Sequence, residues 1–426
     1  MNIKGIKILA YILGAYLLGG CTPENEFYEN IHAIAIDSID KVWLTAQNKM
    51  LMADGHAQME LHPNIIMKDG SILPKNRIDD NILEYVTEEG FEVSRFFSTD
   101  DASLIGKDLN VTVRIKGTEI VSNPVKITLS APMDSKMTPE IVIPVVMHVV
   151  QTQDDVEEMY SEYTQERLQS VLDRINNVFS GKVTKTPYGV NTNIRFEFAK
   201  FNPKGQSMQE IGINRIIVKD TIGRTNKYQD FIKERKLLWP ADKYMNIWLI
   251  SWRKGQGSND LQQRFSKMVS GNSIPHYVQD GVEKILPGLK LKDFPEDGIT
   301  STDDAGFIYK LQDLDVENGV NPAYTNDIIF YIGRYLGLGG TMTYMWGRGN
   351  DYCDDTMDYL VDYYSNGSHF KIVDKVYAFE AENIMDDCTG SHSSVSRDQC
   401  LRMHWVLKNC PDRWAWKSKF AFTGKE

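Results

Sequence analysis

Cysteine is scarce in this 426-residue chain: there are five, none of them in a C-x-x-C pair. That excludes a thiolate zinc knuckle. Internal repeats and low-complexity tracts are lacking too, which excludes solenoid and propeller arrays. Beyond residue 20 no apolar run approaches the ~20 residues that a membrane-spanning helix needs. Positive charge is in deficit, with 47 Lys and Arg against 58 Asp and Glu and a net charge of −11. A field of that sign attracts neither nucleic acid nor an anionic bilayer.

What is present begins at the N-terminus. Lys4 and Lys7 precede an apolar stretch, Ile8 to Leu18, which closes on Leu18-Gly19-Gly20-Cys21. This is the layout of a processed export signal over residues 1–20, and it is set aside from fold reasoning. Its removal takes away both lysines and moves the formal charge from −11 to −13. Leu-Gly-Gly-Cys resembles a bacterial lipobox, which implies acylation of Cys21 as the mature N-terminus. The acid-rich stretch after Thr22 (Glu24, Glu26, Glu29) resembles the surface-export signal of Bacteroides-lineage lipoproteins. The implied location is the bacterial outer membrane, lipid-anchored and surface-exposed, with residues 21–33 as a tether and the lipid as the only membrane contact.

Four cysteines remain, all late: Cys353, Cys388, Cys400 and Cys410. An even number in an exported chain reads as two disulfides. Cys400 sits near the start of a helical pattern and Cys410 just past its end, well over ~10 Å apart at 1.5 Å per residue. Cys353 and Cys388 are therefore expected to pair with Cys400 and Cys410, in an order left open.

Two domains follow from the patterning, an α+β chain as a whole. Over 34–132, short period-2 runs recur between turn residues: Val42-Trp43-Leu44, Ala57 to Leu61, Val111 to Ile115 and Val125 to Leu129. They predict a β-sandwich. Leu51-Met52-Ala53-Asp54-Gly55 before an alternating strand resembles a bacterial Ig-like domain, a spacer in that reading. After a linker at 131–139, Ile141 to Val150 reads as a buried strand. Thr164 to Phe179 then places Leu168, Val171, Leu172, Ile175 and Val178 at helical spacing. Strands at 193–198 and 245–250 complete a mixed α/β domain over 140–426.

Ile143 to Val150, Val190 to Phe196, Asn246-Ile247-Trp248, Tyr335-Leu336-Gly337-Leu338, Asp351 to Thr356 and Glu382-Asn383-Ile384-Met385-Asp386 occur in one order, ahead of a helix over Ser396 to Leu407. Together they resemble the pappalysin-like metzincins, in particular the zinc-dependent metalloproteinase lipoproteins of the Bacteroides group. The resemblance implies a metzincin-like domain with an active-site-type helix and a Met-turn at Met385. It covers roughly residues 140 to 412.

A metzincin site is H-E-x-x-H-x-x-G-x-x-H. Two histidines one helical turn apart and a third after the glycine hold zinc, and the glutamate is general base. Aligned on Gly333 and Gly337, this chain has Phe330 at the first ligand, Tyr331 at the base, Arg334 at the second ligand and Gly340 at the third. Thr325 or Asn326 is expected to cap the helix. A full ligand set is worth ~10–16 kcal/mol to a structural zinc, and here each donor is replaced. Arg334 adds a fixed positive charge that opposes a cation. Tyr331, titrating near ~10, is no carboxylate base at neutral pH.

No zinc is expected on this reading. Calcium is a candidate cofactor at Asp351, Asp354 and Asp355, since several oxygens on one loop suit that ion. Arg334 is placed to pair with Asp386 or Asp387. The functional expectation is a non-catalytic pseudoprotease that takes a peptide or protein in the former substrate cleft. The alternative is an active metallopeptidase with an atypical metal site.

Overall fold

The computed structural model describes residues 34–91, 93–153, 156, 163–184, 186, 188–219, 232, 234–250, 305–311, 314, 327–343, 351–357, 359–360, 370–373, 377–380, 382–386 and 392–426. The export signal, Cys21, Cys388 and Asp387 lie outside them.

The N-terminal part is all β: β1 (Ile39–Ala46), β2 (Met50–Met52), β3 (Met59–Met67), β4 (Leu83–Thr87), β5 (Phe96–Phe97), β6 (Asp108–Ile115) and β7 (Val125–Ser130). One sheet has the order β1-β3-β5, the other β2-β7-β6-β4. β6 shows why the period-2 reading works. Leu109, Val111, Val113 and Ile115 are fully buried, while Asp108 and Arg114 face water. These residues pack with Leu44, Leu61, Ile65, Ile127 and Leu129 in one core between the sheets. Asn123 ties β1 to the second sheet, accepting from Leu44 N at 2.9 Å and donating to Leu44 O at 3.0 Å. The result is two packed β-sheets, as the patterning predicts.

The rest is mixed α+β, with several sheets and few helices. Strand β8 (Ile141–Thr152) is buried along almost its whole length. Helix α1 (Gln165–Phe179) starts at Thr164, whose Oγ1 accepts from Arg167 N at 3.2 Å, and buries Leu168, Val171, Leu172, Ile175, Val178 and Phe179. After it come β9 (Ile194–Phe198), β10 (Ile213–Val218), β11 (Met245–Ile250) and β12 (Gly306–Lys310). β9, β10 and β11 each pair with β8 in parallel, and β12 pairs with β11 in parallel. The five described strands of this sheet all run one way. Strand direction depends on how the connections cross over, which local patterning does not encode. Val145, Met147 and Val149 face α1, whereas Val146, His148 and Val150 face the opposite layer. Cover on both faces explains why β8 reads as an unbroken apolar run.

Next come helix α2 (Ile328–Tyr335) and a small sheet of β13 (Met342–Thr343), β14 (Tyr359–Leu360), β15 (Phe370–Val373) and β16 (Tyr377–Glu380). Helix α3 (Arg397–Asn409) opens on a capping box between Ser396 and Gln399. A 3-10 segment, Pro411–Lys417, and the short α4 (Phe420–Thr423) close the chain. Among the described residues no helix is long and apolar enough to cross a membrane.

Candidate functional site

The four positions of interest lie on α2 and the turn after it. Asp327 caps the helix, accepting from Ile329 N at 3.0 Å, so the cap is Asp327 rather than the expected Thr325 or Asn326. Its carboxylate also takes two hydrogen bonds from Arg174 of α1, at 2.5 and 3.0 Å. Burial pushes the Asp327 carboxyl up, but the Arg174 charge and its hydrogen bonds outweigh this and hold it below the usual range. One side chain thus starts α2 and fastens it to α1.

Phe330 and Tyr331 are 5% and 6% exposed. Tyr331 packs against Phe307 and Tyr309 of β12, with ring centroids 6.2 and 5.8 Å away, and against Phe330 at 5.4 Å. Arg334 is partly exposed, its guanidinium 5.8 Å from the Phe330 ring centre. Phe330 and Tyr331 are therefore part of an aromatic cluster on α2 and β12. Gly337 has φ +88°, and a Cβ there would stand 2.6 Å from Val406 Cγ2. Both the left-handed turn and the close approach of α3 require glycine. Arg402 donates to Gly337 O at 2.6 Å and Arg413 to Tyr335 O at 2.7 Å, which satisfies carbonyls at the helix end.

Below α2 runs the turn Glu382 to Asp386. Met385 is fully buried, and its Sδ lies 2.5 Å from where a Cβ on Gly333 would stand. A Cβ at position 333 would force the Met385 side chain to shift. Asn383 Oδ1 accepts from Met385 N at 2.9 Å, and Asp386 Oδ2 accepts from Asn383 N at 3.0 Å. Just past Gly340, Thr341 N donates to Met385 O at 3.1 Å and Thr341 Oγ1 to Asp386 Oδ1 at 2.6 Å. His392 Nε2 donates to Asp386 O at 2.9 Å. Asp387, the other proposed partner of Arg334, lies outside the described residues.

Zinc requires imidazole, thiolate or carboxylate donors converging on one point. Phe330, Tyr331, Arg334 and Gly340 offer none, so these residues do not fit the ion. Among the described residues no three His, Cys, Asp or Glu side chains form a group able to hold a metal.

The Asp351 and Asp355 carboxylates of the acidic loop at 351–356 are held by nearby donors. Asp351 accepts from Cys353 N at 3.1 Å and from the Thr356 hydroxyl. Asp355 accepts from Ser396 Oγ at 2.6 Å and Asp398 N at 2.9 Å, which makes it a second cap of α3. Burial, and then the charge of Asp398, push its carboxyl up to about 6. Asp354 is exposed.

The disulfide expectation is corrected. Cys353, Cys400 and Cys410 are buried, unbonded thiols. Each is occupied by its own surroundings: Cys353 Sγ lies 3.5 Å from Asp351 O and Cys400 Sγ 3.7 Å from Thr192 O, while Cys410 caps the end of α3. Burial pushes all three thiols up, Cys400 and Cys410 to about 12. Arg174, Thr341, Arg402 and Arg413 escaped sequence reasoning, because their partners lie in distant segments, and Asp327 stands one residue past the expected caps.

No protein-family model matches the chain. No curated protein matches it either. Among solved structures it is similar to Tannerella forsythia mature mirolysin in complex with a cleaved peptide, at 16% identity over 68% of this chain and 100% of that one, with a TM-score of 0.43. It is also similar to a Tannerella forsythia promirolysin mutant, at 17% identity over 67% and 87%, with a TM-score of 0.42. A third is mirolysin in complex with compound 9, at 16% identity over 68% and 100%, with a TM-score of 0.41.

Proposed function

We propose that residues 140–426 form a metallopeptidase-like domain without metal or general base, and that the chain is a surface lipoprotein that binds peptide or protein without cleaving it. One observation carries the reading. Met385 lies directly beneath Gly333 of α2, and Gly337 makes a left-handed turn, which supports reading these segments as the helix, turn and floor of such a site. The positions that would carry the chemistry hold Phe330, Tyr331, Arg334 and Gly340. Met385 serves here as the floor residue of a Met-turn, and the N-terminal pair of sheets as an Ig-like stalk anchored through Cys21.

Binding without cleavage draws on a different part of the fold. An extended peptide added beside a strand is held by main-chain hydrogen bonds, which need no metal. In this reading the former cleft beside α2 is the binding surface. Incubating the purified chain with casein tests the absence of cleavage, and peptide-array binding tests the retained groove. The proposal predicts intact casein together with saturable capture of a subset of peptides. Chelator-sensitive casein fragments would replace it with the alternative, an active enzyme with an atypical site. A blank array would leave a purely structural envelope protein.

A further inference from the structure

We infer that the N-terminal β domain braces the floor beneath α2, through an unbroken series of buried hydrogen bonds from Asn48 to Thr341. Asn48 lies between β1 and β2 and is 1% exposed. Its Oδ1 accepts from Lys49 N at 2.8 Å, which leaves Nδ2 to donate to the backbone oxygen of Asp355. The Asp355 carboxylate receives Ser396 Oγ at 2.6 Å. Ser396 exchanges two hydrogen bonds with Gln399, at 3.0 and 3.2 Å. Gln399 and Asn383 then pair amide to amide, at 2.9 Å in both directions. From Asn383 the series reaches Met385 N and Asp386, and Thr341 Oγ1 closes it on Asp386 at 2.6 Å.

Every side chain in this series is at most 5% exposed. A broken link therefore strands a buried donor or acceptor instead of returning it to water. Satisfied networks of this kind also fix one arrangement of the backbone they touch. The far end fixes the turn that carries Met385 and the residue that follows Gly340. A domain that served only as a spacer would have no need of a buried side chain reaching into that network. Asn48 is accordingly a positioning residue for the floor. This inference stands on the hydrogen-bond geometry and holds whether or not the site takes a metal.

Hydrogen exchange on the full chain tests it, with Asn48→Ala and the milder Asn48→Ser. Exchange at the amides of Met385 and Thr341 should rise on the order of tenfold, while the β8 amides Val145 to Val150 stay unchanged. Read from the opposite end, Thr341→Val should loosen the amides of Asn383 and Met385. Asn48→Ala and Asn383→Ala combined should lower Tm by less than the sum of the single effects. Exchange that changes only at residues 48, 49 and 355, that rises uniformly over the chain, or strictly additive Tm losses would each overturn the inference.

Discussion

His148 is the clearest case of one side chain disciplined by its surroundings. It is fully buried in β8, stacked on Trp248 with ring centroids 5.4 Å apart. Asn246 gives its amide hydrogens to backbone carbonyls, so its Oδ1 must accept from His148 Nε2, at 3.0 Å. Asn214 Nδ2 then donates to His148 Nδ1 at 2.9 Å, and the imidazole is held neutral. Burial lowers its pKa from 6.5 to about 4, against a smaller raising effect from Asn246. The unfolded chain therefore takes up a proton below about pH 6.5 that the fold refuses. Stability should fall as pH drops from 6.5 towards 4, by about 3 kcal/mol from this group. Urea denaturation at pH 7 and pH 4.5 checks this, since His148→Gln should lose about 2 kcal/mol of the pH dependence over that interval. An unchanged slope would mean that His148 is protonated in the fold. Sequence alone did not reveal the partners of His148, which come from β10 and β11. The state of the cysteines was not legible either, because pairing is a matter of distances between segments.

At the scale of elements, α1 and α3 were readable because apolar spacing and caps at Thr164 and Ser396 act within a few residues. Helix α2 was readable in place but not in attachment. Its fixing point, the Arg174–Asp327 pair, links positions 153 residues apart. Asp327 supplies both the cap and a buried anion, so Asp327→Ala should cost about 2–3 kcal/mol. The estimate is discounted because the Arg174 side chain is 39% exposed. Asp327→Asn keeps a cap and should recover part of the loss. Equal stability for all three proteins in urea would remove this pair from the account of how α2 is held.

For the whole molecule, the α+β class was legible, whereas the direction of the central strands and the route by which Asn48 reaches the floor were not. Both depend on chain crossings that no sequence window contains. Export is separable from fold, and acylation at Cys21 predicts that a fatty-acid label enters the native chain and not Cys21→Ser. The central claim is that the helix and floor of a metal site persist without the metal. Its most direct test is metal stoichiometry on the purified chain, beside a variant carrying Phe330→His, Tyr331→Glu, Arg334→His and Gly340→His. The account predicts no bound zinc in the native chain and about one equivalent per chain in the variant, since one mononuclear site is restored. An equivalent of zinc in the native protein would contradict it.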